Sequence, residues 1–148
     1  MPSEKQKIGD KGEQFIAKTM ACLSCKKTKT LKQLPNNFKC ADLICDFCGH
    51  TSQVKTFRSD EEGLPNFILG AAWQPQKDRM DAGIYHALWI VRMDKKTRCQ
   101  EVWLATSEAQ DTEMFVKRKP LSNTAKRAGW QGYLIDTSNY RDRFIKMK

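Results

Sequence analysis

Two pairs of cysteines in this sequence have the spacing of a metal-binding site. Cys22 and Cys25 form one Cys-x-x-Cys turn, and Cys45 and Cys48 form a second one 19 residues further along. Each turn can present two thiolates to one Zn²⁺, and four thiolates complete a tetrahedron with no open position. We therefore predict a structural zinc site. Two disulfides or a redox-active Cys-x-x-Cys are the alternatives.

A carboxylate and a Gln-x-Lys sequence flank the second cysteine pair. Asp42 lies in an apolar segment between the two turns, and Gln53-Val54-Lys55 follows the second turn. On a strand, Gln53 and Lys55 share one face and Val54 points to the other, into the core. If the turn that contains Cys45 joins two adjacent strands, Asp42 faces Gln53 and Lys55 across a hairpin.

This arrangement predicts hydrolysis of a phosphodiester. The Asp42 carboxylate, the Gln53 side-chain oxygen and the Val54 carbonyl are hard oxygen ligands that suit Mg²⁺ or Mn²⁺. Lys55 would orient or help to deprotonate the attacking water. Glu13, in the first helix, is a candidate additional ligand, with helix capping as its alternative role. A surface strand with solvated Gln53 and Lys55, and Asp42 as a cap or ion-pair partner, is the alternative for the whole group.

The charge of the chain favours a polyanionic partner. Lys and Arg number 26 against 17 Asp and Glu, which gives a net charge of +9. The basic residues are clustered, as in many nucleic-acid-binding surfaces, although a solvated basic surface would show the same excess. Trp130, beside Arg127, could stack on a base. The predicted DNA-binding residues are Lys117, Arg118, Lys119, Lys126, Arg127 and Trp130.

The pattern along the chain predicts an α/β fold with a mixed sheet flanked by helices. We expect a flexible arm over residues 1–8 and a single domain over 9–148, with the zinc element at about 22–48. Asp10 is the predicted cap of the first helix. The further predicted elements are a strand at 51–57, a helix within 66–81 limited by Pro75, a buried strand at 84–91, a hairpin turn at 94–97, a strand within 100–105, weak helix or loop at 107–118 and a last strand at 132–135.

Composition also bears on the compartment. The longest apolar run, residues 84–91, is far shorter than the roughly 20 residues of a membrane-spanning helix. The charged N-terminus is not followed by an apolar segment, so no signal peptide is expected. We predict a cytoplasmic protein with reduced thiols, without membrane attachment, as a monomer or homodimer.

The combined motifs resemble the catalytic domain of the DpnI-type restriction endonucleases. The resemblance rests on CLSC at 22–25, CADLICDFC at 40–48, QVK at 53–55 and PLSNTAKRAGWQGYLID at 120–136, and it runs from about residue 13 to residue 136. It implies the PD-(D/E)xK nuclease fold with an inserted zinc element of four cysteines, and cleavage of double-stranded DNA, which could be methylated or structured. Asp42, Gln53 and Lys55 then occupy the catalytic positions, and residues 126–130 lie near DNA or support the site.

Two features depart from that family pattern. Gln53 stands where the family has an acidic residue, which makes this chain a Gln-x-Lys variant with a weaker metal ligand. The resemblance does not include the C-terminal winged helix of the best-known members, so recognition of methylated GATC is not expected to carry over. The alternative functions are a non-cleaving zinc-containing nucleic-acid-binding module and a phage or mobile-element regulator.

Overall fold

The computed structural model describes residues 2–36, 38 and 40–148 of the chain. In chain order its helices and strands are α1 (Glu4–Thr19), β1 (Leu31–Gln33), β2 (Leu43–Cys45), β3 (Thr51–Arg58), β4 (Phe67–Ala72), α2 (Trp73–Asp81), β5 (Ala87–Met93), β6 (Cys99–Ala105), β7 (Phe115–Lys117), β8 (Gly132–Asp136) and β9 (Ile145–Lys146). Short 3-10 turns lie at Ser107–Ala109, Thr112–Met114 and Arg141–Arg143. Within these residues, no helix combines the length and apolar character needed to cross a membrane.

The first helix begins earlier than the sequence pattern predicts. Ser3 caps α1, and Gln6 completes a capping box, with the Gln6 backbone donating to the Ser3 hydroxyl at 3.2 Å and the Ser3 backbone donating to Gln6 at 2.7 Å. This reciprocal pair satisfies two backbone N–H groups that the first turn of a helix leaves open. The prediction of a flexible arm is therefore wrong for residues 4–8, and so is Asp10 as the cap. Met1 lies outside the described residues.

The described residues form two sheets. The described strands of the larger sheet are ordered β1-β2-β3-β5-β6-β9, and the smaller sheet is ordered β4-β8-β7. Within the larger sheet β3 and β5 run parallel, whereas the other neighbouring strands run antiparallel. This mixed α/β architecture confirms the predicted fold class.

Strand β5 lies at the centre of the core because both of its faces are buried. Trp89 and Val91 point into an apolar cluster that α1 covers, together with Ile16 of that helix. Leu88 and Ile90 point to the opposite face, into a second cluster that the smaller sheet and α2 cover. A strand with two buried faces has a continuous apolar sequence, as residues 87–91 do.

The predicted strands at 51–57, 84–91, 100–105 and 132–135 correspond to β3, β5, β6 and β8, with ends that differ by up to three residues. The predicted helix within 66–81 is only half correct, because its first part is β4. Phe67 and Leu69 are exposed by 47% and 55%, whereas Ile68 between them is exposed by 4%, which is the alternation of a strand. Strand β7 lies in a region predicted as weak helix or loop.

Candidate active site

The β2–β3 hairpin holds Asp42 against the middle of β3. Leu43 pairs with Ser52 in antiparallel register, and the segment with the second cysteine pair forms the connection between the strands. The Asp42 backbone donates to the Ser52 carbonyl at 2.8 Å, and the Asp42 Oδ2 accepts from the Val54 N–H at 2.7 Å. The hairpin expected from the sequence is therefore present, and it fixes the carboxylate beside the Gln-x-Lys segment.

Gln53 and Lys55 point to the face of β3 that lies opposite Val54. Val54 is buried in the cluster under α1. Gln53 and Lys55 line a cavity of about 580 Å³ together with Asp42. On an extended strand the N–H and C=O of one residue point to the same edge. The Val54 carbonyl consequently lies on the edge that carries the Asp42 carboxylate.

A second cavity, of about 410 Å³, adjoins the first, since Asp42 and Asn36 line both. Asp10 and Glu13 of α1 line this second cavity. Gly12 brings α1 close to β3, because a Cβ at Gly12 would lie 1.9 Å from the Thr56 Oγ1. Asp42 therefore lies between the side that carries Glu13 and the side that carries Gln53 and Lys55.

Burial perturbs the ionisable groups around Asp42. Burial raises the pKa of Asp42 above its ordinary value, despite the hydrogen bond from Val54. Burial and the Asp42 charge raise the pKa of Glu13 to about 7, although a hydrogen bond from Gln33 at 3.3 Å opposes this shift. Burial also lowers the pKa of Lys55. Two carboxylates that resist ionisation next to a lysine that resists protonation form an environment that a divalent cation would stabilise.

The four cysteines of the two Cys-x-x-Cys turns meet at the end of this hairpin. Their sulfur atoms all lie within 4.8 Å of one another. The Cys22 and Cys48 Sγ atoms are 3.5 Å apart, and those of Cys25 and Cys45 are 3.7 Å apart. A tetrahedral site with Zn–S bonds near 2.3 Å places sulfurs about 3.8 Å apart, whereas a disulfide requires about 2.05 Å. The cluster could hold zinc, since its sulfurs have the separation of a tetrahedral site and not that of bonded cysteines.

The surroundings of Cys45 favour a thiolate. A hydrogen bond between its Sγ and the Thr30 hydroxyl, at 3.2 Å, lowers the pKa of the Cys45 thiol to about 6. A metal-binding cysteine must lose its proton, and the shift at Cys45 favours this loss. At Cys25 a hydrogen bond with the Lys27 backbone lowers the pKa, but burial and the neighbouring cysteines outweigh it and raise the pKa to about 11. The donor set and its spacing thus suit a structural zinc ion.

Five of the six predicted DNA-binding residues lie on the connection between β7 and β8, and Lys117 is the last residue of β7. The lysines and arginines of this connection are exposed, and the Arg127 guanidinium stacks on the Trp130 ring at 4.6 Å. The connection ends beside the cavity that contains Gln53, because the Gln131 carbonyl accepts from the Trp73 backbone at 2.9 Å and Gly132 pairs with Ala72, which lines that cavity. The basic segment and the cavity are therefore neighbours.

The structure adds cavity residues to which the sequence patterns assign no role. Tyr133 of β8, Pro75 of α2 and Ala71 of β4 line the cavity with Gln53 and Lys55. Cys40, also in the lining, has a φ of 64°, in the left-handed region that favours glycine. Tyr133, Pro75 and Ala71 reach the cavity through contacts that are distant in sequence, and an apolar pattern does not specify such contacts.

One comparison with known proteins bears on this site. The family model of DpnI, described as the Dam-replacing family, matches residues 1–144. The match covers almost the entire chain, including both cysteine pairs, the hairpin and the basic segment. The family is restriction-endonuclease-like.

Proposed function

Because the chain belongs to the DpnI family, we propose that it is a metal-dependent endonuclease that hydrolyses phosphodiester bonds in double-stranded DNA. The observation that carries this proposal is the convergence of Asp42, Gln53 and Lys55 on one cavity. A basic segment borders the same cavity, and the net charge of +9 suits a polyanionic substrate.

The oxygen donors around Asp42 suit a hard divalent cation. Asp42, the Gln53 amide oxygen and the Val54 carbonyl would hold Mg²⁺ or Mn²⁺, with Glu13 as an additional ligand from α1. The raised pKa values of Asp42 and Glu13 support this assignment, since a cation compensates buried negative charge. When bound, the cation polarises the scissile phosphate and makes a bound water more acidic.

Lys55 would act on the attacking water. Its burial lowers the pKa of the ammonium group, so Nζ loses its proton more readily than an exposed lysine does. A neutral Nζ can accept a proton from water, and the resulting ammonium can stabilise negative charge on the phosphate. Asp42, just before β2, would hold the metal, so the metal ligand and the lysine lie on opposite arms of one hairpin.

The remaining predicted residues would bind DNA and stabilise the site. Lys117, Arg118, Lys119, Lys126 and Arg127 would contact phosphates, which gives affinity without sequence specificity. Trp130 would support Arg127 through their stacked contact. A zinc ion at the four cysteines would fix the hairpin that carries Asp42, and reduced thiols fit our proposal of a cytoplasmic location.

A plasmid cleavage assay tests the proposal. Supercoiled plasmid with methylated or unmethylated GATC sites is incubated with the protein and Mg²⁺, Mn²⁺ or EDTA, with Asp42→Asn and the exposed-residue control Asp81→Asn. We expect nicking or linearisation only with a divalent cation, loss in Asp42→Asn and full activity in Asp81→Asn. A difference in cleavage rate between the methylated and the unmethylated plasmid would show whether cleavage depends on methylation.

A non-cleaving DNA-binding module is the second candidate, because Gln53 is a neutral and weaker metal ligand than a carboxylate. It predicts intact plasmid under every metal condition, together with retention of the DNA on a gel by both wild type and Asp42→Asn. That combination would replace the endonuclease proposal.

A further inference from the structure

A cluster of lysines follows the first cysteine pair and lies outside the candidate active site. Lys26, Lys27 and Lys29 are all exposed. Among the residues that the structure describes, none of these three lysines forms an ion pair, and Lys32 nearby lies 4.0 Å from Asp46, at the limit of such a contact. The fold therefore does not use these charges, and they remain available to an anionic partner.

The backbone of this segment has a shape that lysine does not favour. Lys26 and Lys29 have φ angles of 66° and 61°, in the left-handed region where glycine has the lowest steric cost. The Lys26 N–H donates to the Cys22 carbonyl and the Cys22 N–H donates to the Lys27 carbonyl, each at 2.9 Å, so hydrogen bonds hold the loop in this shape. Because both lysine side chains are exposed, packing gives no reason for lysine at these two positions, whereas binding of an anion would.

The turn of the second cysteine pair adds an aromatic ring to the same surface. Phe47, in this turn, is exposed by 65%. The Lys27 ammonium lies over its ring, 4.4 Å from the centroid, and the Asp46 N–H donates to the Thr30 carbonyl at 2.8 Å, so the segments of the two pairs are in contact. An exposed aromatic ring among cations is the combination with which many proteins bind the bases and phosphates of nucleic acids.

This surface lies near the cavity, because the second cysteine turn ends the hairpin that carries Asp42. Cys45 follows Asp42 by three positions, a distance of roughly 10 Å along a strand. A DNA duplex advances about 3.4 Å per base pair. A duplex with one phosphate at Asp42 can therefore reach the cysteine turns within roughly three base pairs.

We propose that Lys26, Lys27, Lys29 and Phe47 form a second DNA-binding surface, which we call the cysteine-turn surface. Its lysines bind phosphates roughly three base pairs from the cleaved bond, and Phe47 contacts a sugar or a base. The inference rests on the proposed function, since it takes DNA as the substrate. It gives the cysteine element a role in substrate binding, in addition to the proposed stabilisation of the hairpin.

The salt dependence of DNA binding tests the lysines. Fluorescence anisotropy of a labelled duplex is measured at several salt concentrations without Mg²⁺ or Mn²⁺, so that the DNA stays intact. In Lys26→Gln with Lys29→Gln, the slope of log affinity against log salt should fall by roughly 0.9 for each phosphate contact that is lost. Glutamine keeps a long side chain and is no better suited than lysine to the left-handed region, so the melting temperature should stay at the wild-type value.

Lys95→Gln with Lys96→Gln is the matched control for the lysines. It removes two exposed charges from the β5–β6 turn and should change the slope less.

Phe47→Ala tests the aromatic contact. It should weaken DNA binding by roughly fivefold or more, as expected for loss of one contact between a base and an aromatic ring. The slope against salt should stay at the wild-type value, because no charge is removed. Phe67→Ala is the matched control, since Phe67 is exposed by 47% on the smaller sheet. It should bind DNA as the wild type does.

The outcomes distinguish this surface from the proposed function. Equal slopes for the two lysine double variants, or wild-type affinity in Phe47→Ala, would overturn the cysteine-turn surface even if the protein cleaves DNA. The expected losses in both variants, with plasmid that stays intact under every metal condition, would retain the surface and reject the endonuclease. A wild-type protein that binds RNA or another protein but no duplex DNA would overturn both proposals.

Discussion

At the scale of single residues, Glu101 shows how this basic protein stabilises a buried carboxylate. Its Oε1 accepts from Arg92 at 2.7 Å and from the Gly63 backbone at 2.8 Å, and its Oε2 lies 2.9 Å from the Lys146 ammonium. Burial acts to raise the pKa of Glu101, but these three contacts outweigh it and lower the pKa to about 2. The Glu101 side chain thus links its own strand, β6, to β5 and β9.

This arrangement predicts a specific dependence of stability on pH. A carboxyl whose pKa is lower in the folded state contributes stability above its unfolded pKa, near 4.5, and that stability is lost as the pH falls toward 2. Glu101→Gln should therefore be less stable at pH 7, by about 3 kcal/mol. Its free energy of unfolding should also fall less steeply than that of wild type between pH 4.5 and 2. Urea denaturation over this pH range measures both effects.

Glu108→Gln is the control for that experiment, because Glu108 is an exposed glutamate on a 3-10 turn near the end of β6. It should follow the wild-type pH profile. Parallel profiles for wild type and Glu101→Gln would show that the buried pair does not stabilise the fold as described.

At the scale of elements, the close packing of α1 on β3 depends on the absence of a side chain at Gly12. A Cβ there would lie 1.9 Å from the Thr56 Oγ1 and 3.0 Å from the Thr56 Cβ, so rotation of the threonine cannot relieve the clash. We predict that Gly12→Ala destabilises the protein by about 1–3 kcal/mol through overpacking. Because Glu13 follows directly, it should also displace that carboxylate from the cavity. Chemical denaturation measures the first effect.

Gly9→Ala is the matched control on the same helix. No atom lies within 4 Å of a Cβ at Gly9, so the substitution gains helix propensity, worth up to about 1 kcal/mol, without a clash. We expect Gly9→Ala to raise the free energy of unfolding and Gly12→Ala to lower it. Equal effects of the two substitutions would contradict the close packing of α1 on β3.

The cysteine cluster should stabilise the hairpin as a unit. Binding of a structural zinc ion is coupled to folding, so Cys48→Ser or removal of zinc with a chelator should lower the melting temperature by on the order of 10 °C or more. Cys99→Ser is the control, since Cys99 lies in β6 outside the cluster. Thermal unfolding followed by circular dichroism, with zinc content measured in parallel, gives the result. A Cys48→Ser protein with unchanged melting temperature would contradict the zinc assignment.

These elements also show which features a sequence alone can predict. The β2–β3 hairpin and the cysteine cluster are predictable because their residues are close in sequence and strand alternation places Gln53 and Lys55 together. Strand β4 is not predictable, because it has few alternating residues and runs directly into α2, so that the two together have the pattern of one helix. The true start of α1 escapes prediction because Asp10 also has the pattern of a cap. The position of Tyr133 in the cavity depends on how the two sheets pack, which no local pattern specifies.

At the scale of the whole molecule, the distribution of charge predicts where DNA binds. Replacing Lys126 and Arg127 together with alanine should weaken DNA binding and reduce the slope of log affinity against log salt by roughly 0.9 for each phosphate that is no longer neutralised. Lys95→Ala with Lys96→Ala removes the same charge from the β5–β6 turn and should have a smaller effect. Fluorescence anisotropy at several salt concentrations measures both slopes. Equal effects of the two double variants would show that affinity follows net charge and not the β7–β8 connection.

In our proposal, the cavity at Asp42, Gln53 and Lys55 performs metal-dependent cleavage of DNA. The cleavage rate of supercoiled plasmid with Mn²⁺ tests this directly for wild type, Lys55→Met and the exposed control Lys96→Met. Methionine keeps most of the apolar stem of Lys55 and removes the amine. We predict that Lys55→Met cleaves at least about 100-fold more slowly than wild type, as expected for loss of a proton-transferring group. Its free energy of unfolding should not fall. Lys96→Met should cleave at the wild-type rate. Cleavage by Lys55→Met at the wild-type rate would contradict a catalytic role for this cavity.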